Sequence, residues 1–94
     1  MKQKLSWANR LFQTMELGEE PVPLQPVMEL CGDRRLLIEN HFGVSEYTQE
    51  RISVKVRFGQ ILIIGCELKL RRMLGQVLVI TGRIEQICVK RGRD

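Results

Sequence analysis

Few residues of this chain could do chemistry. Its one histidine, His41, stands in IENHFGVSEY (38–47), with Glu39, Glu46 and Tyr47 close by. A histidine oriented by a carboxylate can serve as a general base. No nucleophile lies near it at a recognisable spacing, and Asn-His and Phe-Gly between two strand-like runs are turn chemistry. The expectation is a structural histidine, no catalytic residue and no enzyme.

Cys31, Cys66 and Cys88 could in principle join His41 in a zinc site. Structural zinc ligands come in close pairs, whereas these cysteines lie 35 and 22 residues apart, inside or beside apolar runs. Buried thiols fit that placement better, and no metal is expected. An odd number of cysteines in a small chain argues against a disulfide framework and for a reducing compartment. The glycines make neither a phosphate-binding P-loop nor a dinucleotide fingerprint, so no cofactor is expected.

Basic side chains are more plentiful, with a net charge of +4 and a pI near 9.3. Lys69, Arg71, Arg72, Lys90, Arg91 and Arg93 could gather into a phosphate-binding patch. The aromatics that stack bases on an RNA-binding sheet are missing from these strands, which argues against nucleic acid. A membrane surface fits better. Lys2, Lys4 and Arg10 flank Trp7, Leu11 and Phe12, the composition of an interfacial helix.

The elements that must position these groups fall into one domain of 94 residues. Residues 1–18 read as an amphipathic helix: Leu5, Ala8, Leu11, Phe12 and Met15 recur at helical spacing, Ser6 can cap the start and Gly18 the end. Residues 19–26, with prolines at 21, 23 and 26, read as an extended connector. From 27 to 90 the period becomes two, and 91–94 form a basic tail. RISVKVR (51–57) places Ile52, Val54 and Val56 on one face, and ELKLR (67–71) does the same with Leu68 and Leu70. No apolar run suits a signal peptide, and the longest runs, ILII (61–64) and VLVI (77–80), are far short of a membrane span.

FGQILIIG (58–65) returns as LGQVLVITG (74–82), and Gly43, Gly59 and Gly75 are sixteen residues apart. This repeat predicts a mainly β fold: an antiparallel meander of strand-turn-strand units with one N-terminal helix. About six strands are expected from Gly43 onward, after two near 27–31 and 35–39. Turns are expected at Gly43, Phe58-Gly59, Gly65-Cys66, Leu74-Gly75 and Thr81-Gly82. A small β-solenoid with one repeat per coil is the alternative. The final run, RIEQICV, changes phase between Ile84 and Ile87, which predicts a bulge.

ILII and VLVI are apolar on both faces, so a second face needs cover. That face carries Leu62, Ile64, Leu78 and Ile80 or their alternates. Together with Trp7, Leu11 and Phe12 of the helix, these are the candidate partner-binding residues. The cover is the helix, a protein partner, or a second copy.

The segment LLIENHFGVSEYTQERISVKVRFGQILIIGCELKLRRMLGQVLVITGRIEQI (36–87) resembles the YabP/YqfC family of sporulation proteins from endospore-forming bacteria. The shared pattern is IENH-x-G-x-x-EY at 38–47, Glu50-Arg51-Ile52 opening a strand, and G-x-I-x-I-x-G at 59–65. L-x-L at 68–70 follows, then V-x-I-x-G-x-I at 78–84 with Leu78 in the valine place. EEPVPLQPVMELCGD, before it, departs from the family's leucine–proline approach to the first strand. The resemblance implies a small sporulation protein of the mother-cell cytoplasm with no catalytic residues to transfer. By analogy it also implies a membrane-associated sporulation protein as partner, at the forespore membrane. The expected role is an assembly or adaptor module acting through protein–protein interaction, self-association included. A peripheral membrane or spore-envelope structural role is the alternative.

Overall fold

A computed structural model describes residues 25–92, and within them every regular element is a strand. These are β1 (Val27–Cys31), β2 (Arg35–Glu39), β3 (Val44–Tyr47), β4 (Arg51–Val56), β5 (Gly59–Leu74) and β6 (Val77–Arg91). They form one sheet in the order β1-β2-β6-β5-β4-β3, antiparallel at each pairing. Strands β3 to β6 are a meander in chain order. The β1–β2 hairpin joins on the far side, against β6. The mainly β, antiparallel expectation holds, and so do the positions of the first two strands. One coil per repeat, the solenoid alternative, is not what forms. The expected helix at 1–18 and most of the connector lie outside the described residues.

The strand count needs correction: among the described residues six strands form, not eight. Gly65-Cys66 and Thr81-Gly82 were expected to be turns, yet both lie inside long strands. A Cβ on Gly65 would overlap the Arg83 carbonyl oxygen, and one on Gly82 would stand 2.5 Å from that of Glu67. Glycine is needed at these places because two backbones approach closely, not because the chain reverses. Between β4 and β6 the chain reverses at Arg57-Phe58 and Gly75-Gln76, so the sixteen-residue repeat is one hairpin strand following another.

At this crossing the β5–β6 ladder slips three times. Ile64 pairs with Gln86 but Gly65 with Ile84, which leaves Glu85 as the extra residue on β6. The bulge expected between Ile84 and Ile87 is therefore present. Two further slips lie on β5, around Glu67 and Arg71. Bulges bend and twist a strand. Loop carbonyls accept the amides left without a ladder partner: Gly65 and Leu68 donate to Glu50 and Gln49, and Gly82 and Ile84 donate to Arg34 and Asp33. The Tyr47 hydroxyl oxygen accepts from the Leu70 amide at 3.0 Å, on the side of β5 that no strand covers there.

The bend divides the sheet into two halves. The first is β1, β2, the start of β6 and the end of β5; the second is the rest of β6 and β5 with β4 and β3. Their inner faces merge into one aliphatic cluster. Leu36, Ile38, Leu78 and Ile80 come from the first half, and Ile52, Val54, Ile61 and Ile63 from the second, all fully buried. Each such side chain contributes roughly 1.5–3 kcal/mol relative to exposure. The alternation read from RISVKVR and ELKLR is the observed one: Ile52, Val54, Val56 and Leu68 are buried, and Leu70 packs against them.

Candidate functional site

On the outer face of the first half, register sets the neighbours. Glu29 on β1 lies opposite Leu37 on β2, Leu37 opposite Val79 on β6, and Val79 opposite Arg72 on β5. One row further along stand Cys31, Arg35, Thr81 and Lys69. One row back stand Val27, Glu39, Val77 and Leu74. The result is a groove of about 610 Å³. Leu37, Val77 and Val79, all half-buried, make its aliphatic floor. Glu29 and Cys31 bound it on one side, Arg71 and Arg72 on the other, and Arg35 near one end. The bulge that makes Arg71 an extra residue sets two arginines side by side on that rim.

The groove has electrical polarity. Glu29 and Glu39 share its face toward the β1 start. Partial burial, with Glu29 nearby, raises the Glu39 carboxyl above the ordinary range. Among the described residues Glu39 Oε2 is buried without a hydrogen-bond partner, and the one ion pair is Arg51–Glu46, in the other half. Arg35, Arg71 and Arg72 thus face the groove with no carboxylate engaged among the described residues.

His41 is not part of the groove. It is 5% exposed, and its Nδ1 accepts the Gly43 amide at 2.9 Å. In the neutral ring the proton is therefore on Nε2, which is buried and has no acceptor at bonding distance among the described residues. Burial holds the imidazole below its ordinary pKa, partly opposed by the nearby Gly75 carbonyl. Asn40 and His41 both donate backbone amides to the Gln76 carbonyl, tying this segment to the β5–β6 turn. Asn40 adopts φ 65°, and its side-chain amide holds the Gln25 carbonyl at 2.9 Å. IENH is a structural corner: it ends β2, grips the turn, and sends the chain toward β4.

The residues expected to bind a partner do not all come together. Leu78 and Ile80 are fully buried in the core, while Leu62 (8% exposed) and Ile64 lie on the outer face of the second half. The expectation that these four share one face is corrected. On β6 it is the alternates, Val77 and Val79, that face outward: the two slips on β5 cancel in parity, and the pair flanking the first turn, Val56 and Gly59, lies on the inward side whereas the pair flanking the second, Leu74 and Val77, lies on the outward side. Trp7, Leu11 and Phe12 lie outside the described residues. The anticipated basic patch also splits. Arg71 and Arg72 reach the groove, while Lys90 and Arg91 lie beside Gly59 in the other half, with Arg91 over the Phe58 ring at 5.5 Å. Among the described residues no three His, Cys, Asp or Glu side chains gather as a metal site, and no helix is long and apolar enough to cross a membrane.

Leu37, Glu29 and Arg35 were not singled out from the sequence. The one available signal was VLVI, whose two apolar faces announce that a second surface needs cover.

Residues 25–94 match the model of the YabP family, a range that holds all six strands and every residue of the groove. The chain belongs to the YabP family. Membership suggests a sporulation-related protein, in line with the motifs IENH-x-G and G-x-I-x-I-x-G. Those motifs now have physical roles: the YabP-family corner at 38–41 grips the hairpin turn, and Gly65 allows the long strands to cross. No curated protein and no solved structure matches.

Proposed function

We propose that this YabP-family chain is a non-enzymatic adaptor in endospore formation that binds a protein partner through the groove of its first half-sheet. The observation that carries the reading is the aliphatic floor of Leu37, Val77 and Val79 beneath an arginine rim. An apolar strip rimmed by charge is the make-up of an interaction surface. A membrane-associated sporulation protein is the expected partner, met from the mother-cell cytoplasm at the forespore membrane. Crosslinking of a tagged copy in sporulating cells tests this. The double variant Arg71→Glu/Arg72→Glu should lose the main captured protein while melting within a few degrees of the parent. Capture of the same set by both proteins, or of none by the parent, refutes the reading.

One observation favours a second reading, peripheral binding to an anionic membrane. Met73 and Leu74, 52% and 70% exposed, sit at the tip of the β5–β6 hairpin beside Arg71 and Arg72. Co-sedimentation with anionic but not neutral liposomes, lost in Leu74→Ser, is its expected signature.

A further inference from the structure

We infer that the groove receives an amphipathic α-helix of about three turns from the partner, running parallel to β1 and carrying carboxylates toward the β5 rim. This rests on the protein-binding reading above and adds the shape, charge and direction of what is bound. Width is the first reason. The rims stand on β1 and β5, with β2 and β6 as floor, so they are three strand spacings, about 14 Å, apart. An α-helix with its side chains is about 10–12 Å across and fills that width, whereas one added strand leaves most of the floor wet.

Length is the second. The five residues of β2 span about 17 Å. At 1.5 Å per residue that floor accommodates about eleven helical residues. Aliphatic side chains at i, i+3, i+4 and i+7 would meet Val77, then Leu37 and Val79.

Charge gives the orientation. The β5 rim offers Arg71 and Arg72, so the helix flank that faces it carries Asp or Glu, which guanidinium groups bind through paired hydrogen bonds. The opposite rim offers Glu29, so that flank is neutral or basic. Along the groove, Glu39 marks one end and Arg35 with Lys69 the other. The positive N-terminus of a helix favours the Glu39 end and its negative C-terminus the Arg35 end, which makes it run as β1 runs.

A photo-crosslinking amino acid placed at Val77 or at Cys31 of the full chain, in sporulating cells, tests each element. The crosslinked partner peptides are sequenced. The expected result is one segment with helical apolar spacing and acidic residues on one flank. Val77 should reach its N-terminal turn, and Cys31 a residue about two turns later. Charge reversal at Arg72 should reduce both yields at least fivefold. A segment with strand alternation, the reverse order, a crosslink to residues 1–24 of the same chain, or no protein crosslink from either position overturns the inference. A third crosslinker at Lys55, in the other half-sheet, separates the two failures. Partner crosslinked from the groove through a segment of strand alternation, with none at Lys55, leaves the groove-binding adaptor standing and removes the helix, whereas partner captured at Lys55 but not from the groove removes both.

Discussion

Leu78 and Val79 are neighbours on β6 that face opposite ways, and together they test which face of this strand is the inner one. Leu78 is fully buried between Ile38 on β2 and Met73 on β5, whereas Val79 is half-buried on the groove floor. Truncating a fully buried leucine removes its transfer energy and leaves a cavity, so Leu78→Ala should cost about 3–4 kcal/mol. Val79→Ala removes two methyl groups that water already touches, and should cost about 1 kcal/mol or less. A domain of this size holds roughly 5–14 kcal/mol in total, so the first loss is a large part of it. Each kcal/mol moves the melting temperature of such a domain by roughly 4–8 °C. Leu78→Ala should therefore melt about 12–30 °C below the parent, and Val79→Ala no more than about 8 °C below. Thermal melts followed by circular dichroism, with urea titrations to check that the slope is unchanged, read both numbers. If Val79→Ala melts as low as Leu78→Ala, the two faces are assigned wrongly. The groove would then lose its floor.

Two further predictions concern the crossing and the corner. Gly65→Ala places a Cβ against the Arg83 carbonyl and should destabilise by more than Gly32→Ala, where φ is +58° but no atom lies within 4 Å; the latter should cost about 1–2 kcal/mol. Paired melts decide, and equal losses would remove the close approach as the reason for this glycine. The second is a pH dependence with two opposed parts. The folded pKa of His41 is lowered, so its contribution is present above the ordinary value of 6.5 and is lost as pH falls through the folded value. That slope should vanish in His41→Asn, which keeps an acceptor for the Gly43 amide. The folded pKa of Glu39 is raised, so its contribution is present below 4.5 and is lost as pH rises through the folded value. Glu39→Gln should therefore be more stable than the parent at pH 7. Urea titrations between pH 4 and 8 measure both parts, and parallel profiles for the parent and either variant would show that the burial argument fails for that residue.

Period-two patterning in RISVKVR and ELKLR was enough to assign the inward faces of β4 and of β5 beyond its bend, because a strand has only two sides and one is apolar. The first two strands and the bulge near Glu85 were equally legible, the latter because a bulge shows as a break in alternation. Gly65 and Gly82 were misread because glycine serves tight reversals and close backbone crossings alike, and local sequence does not distinguish them. Only the fold places a carbonyl where their Cβ atoms would be. The parity of VLVI was undecidable for a related reason: both of its faces are apolar, so the choice between Leu78 and Val79 depends on where the β5–β6 hairpin turns, at Gly75-Gln76, and on the register of β6 with β2. The groove was further out of reach. Glu29, Leu37, Arg72 and Val79 are scattered between positions 29 and 79 of the chain, and they become neighbours only because the β1–β2 hairpin pairs with β6 instead of extending the meander at β3. Composition and period thus determined a mainly β aliphatic domain and most of its inward residues; strand order and bulge placement, which depend on long-range backbone pairing, decided which residues face a partner.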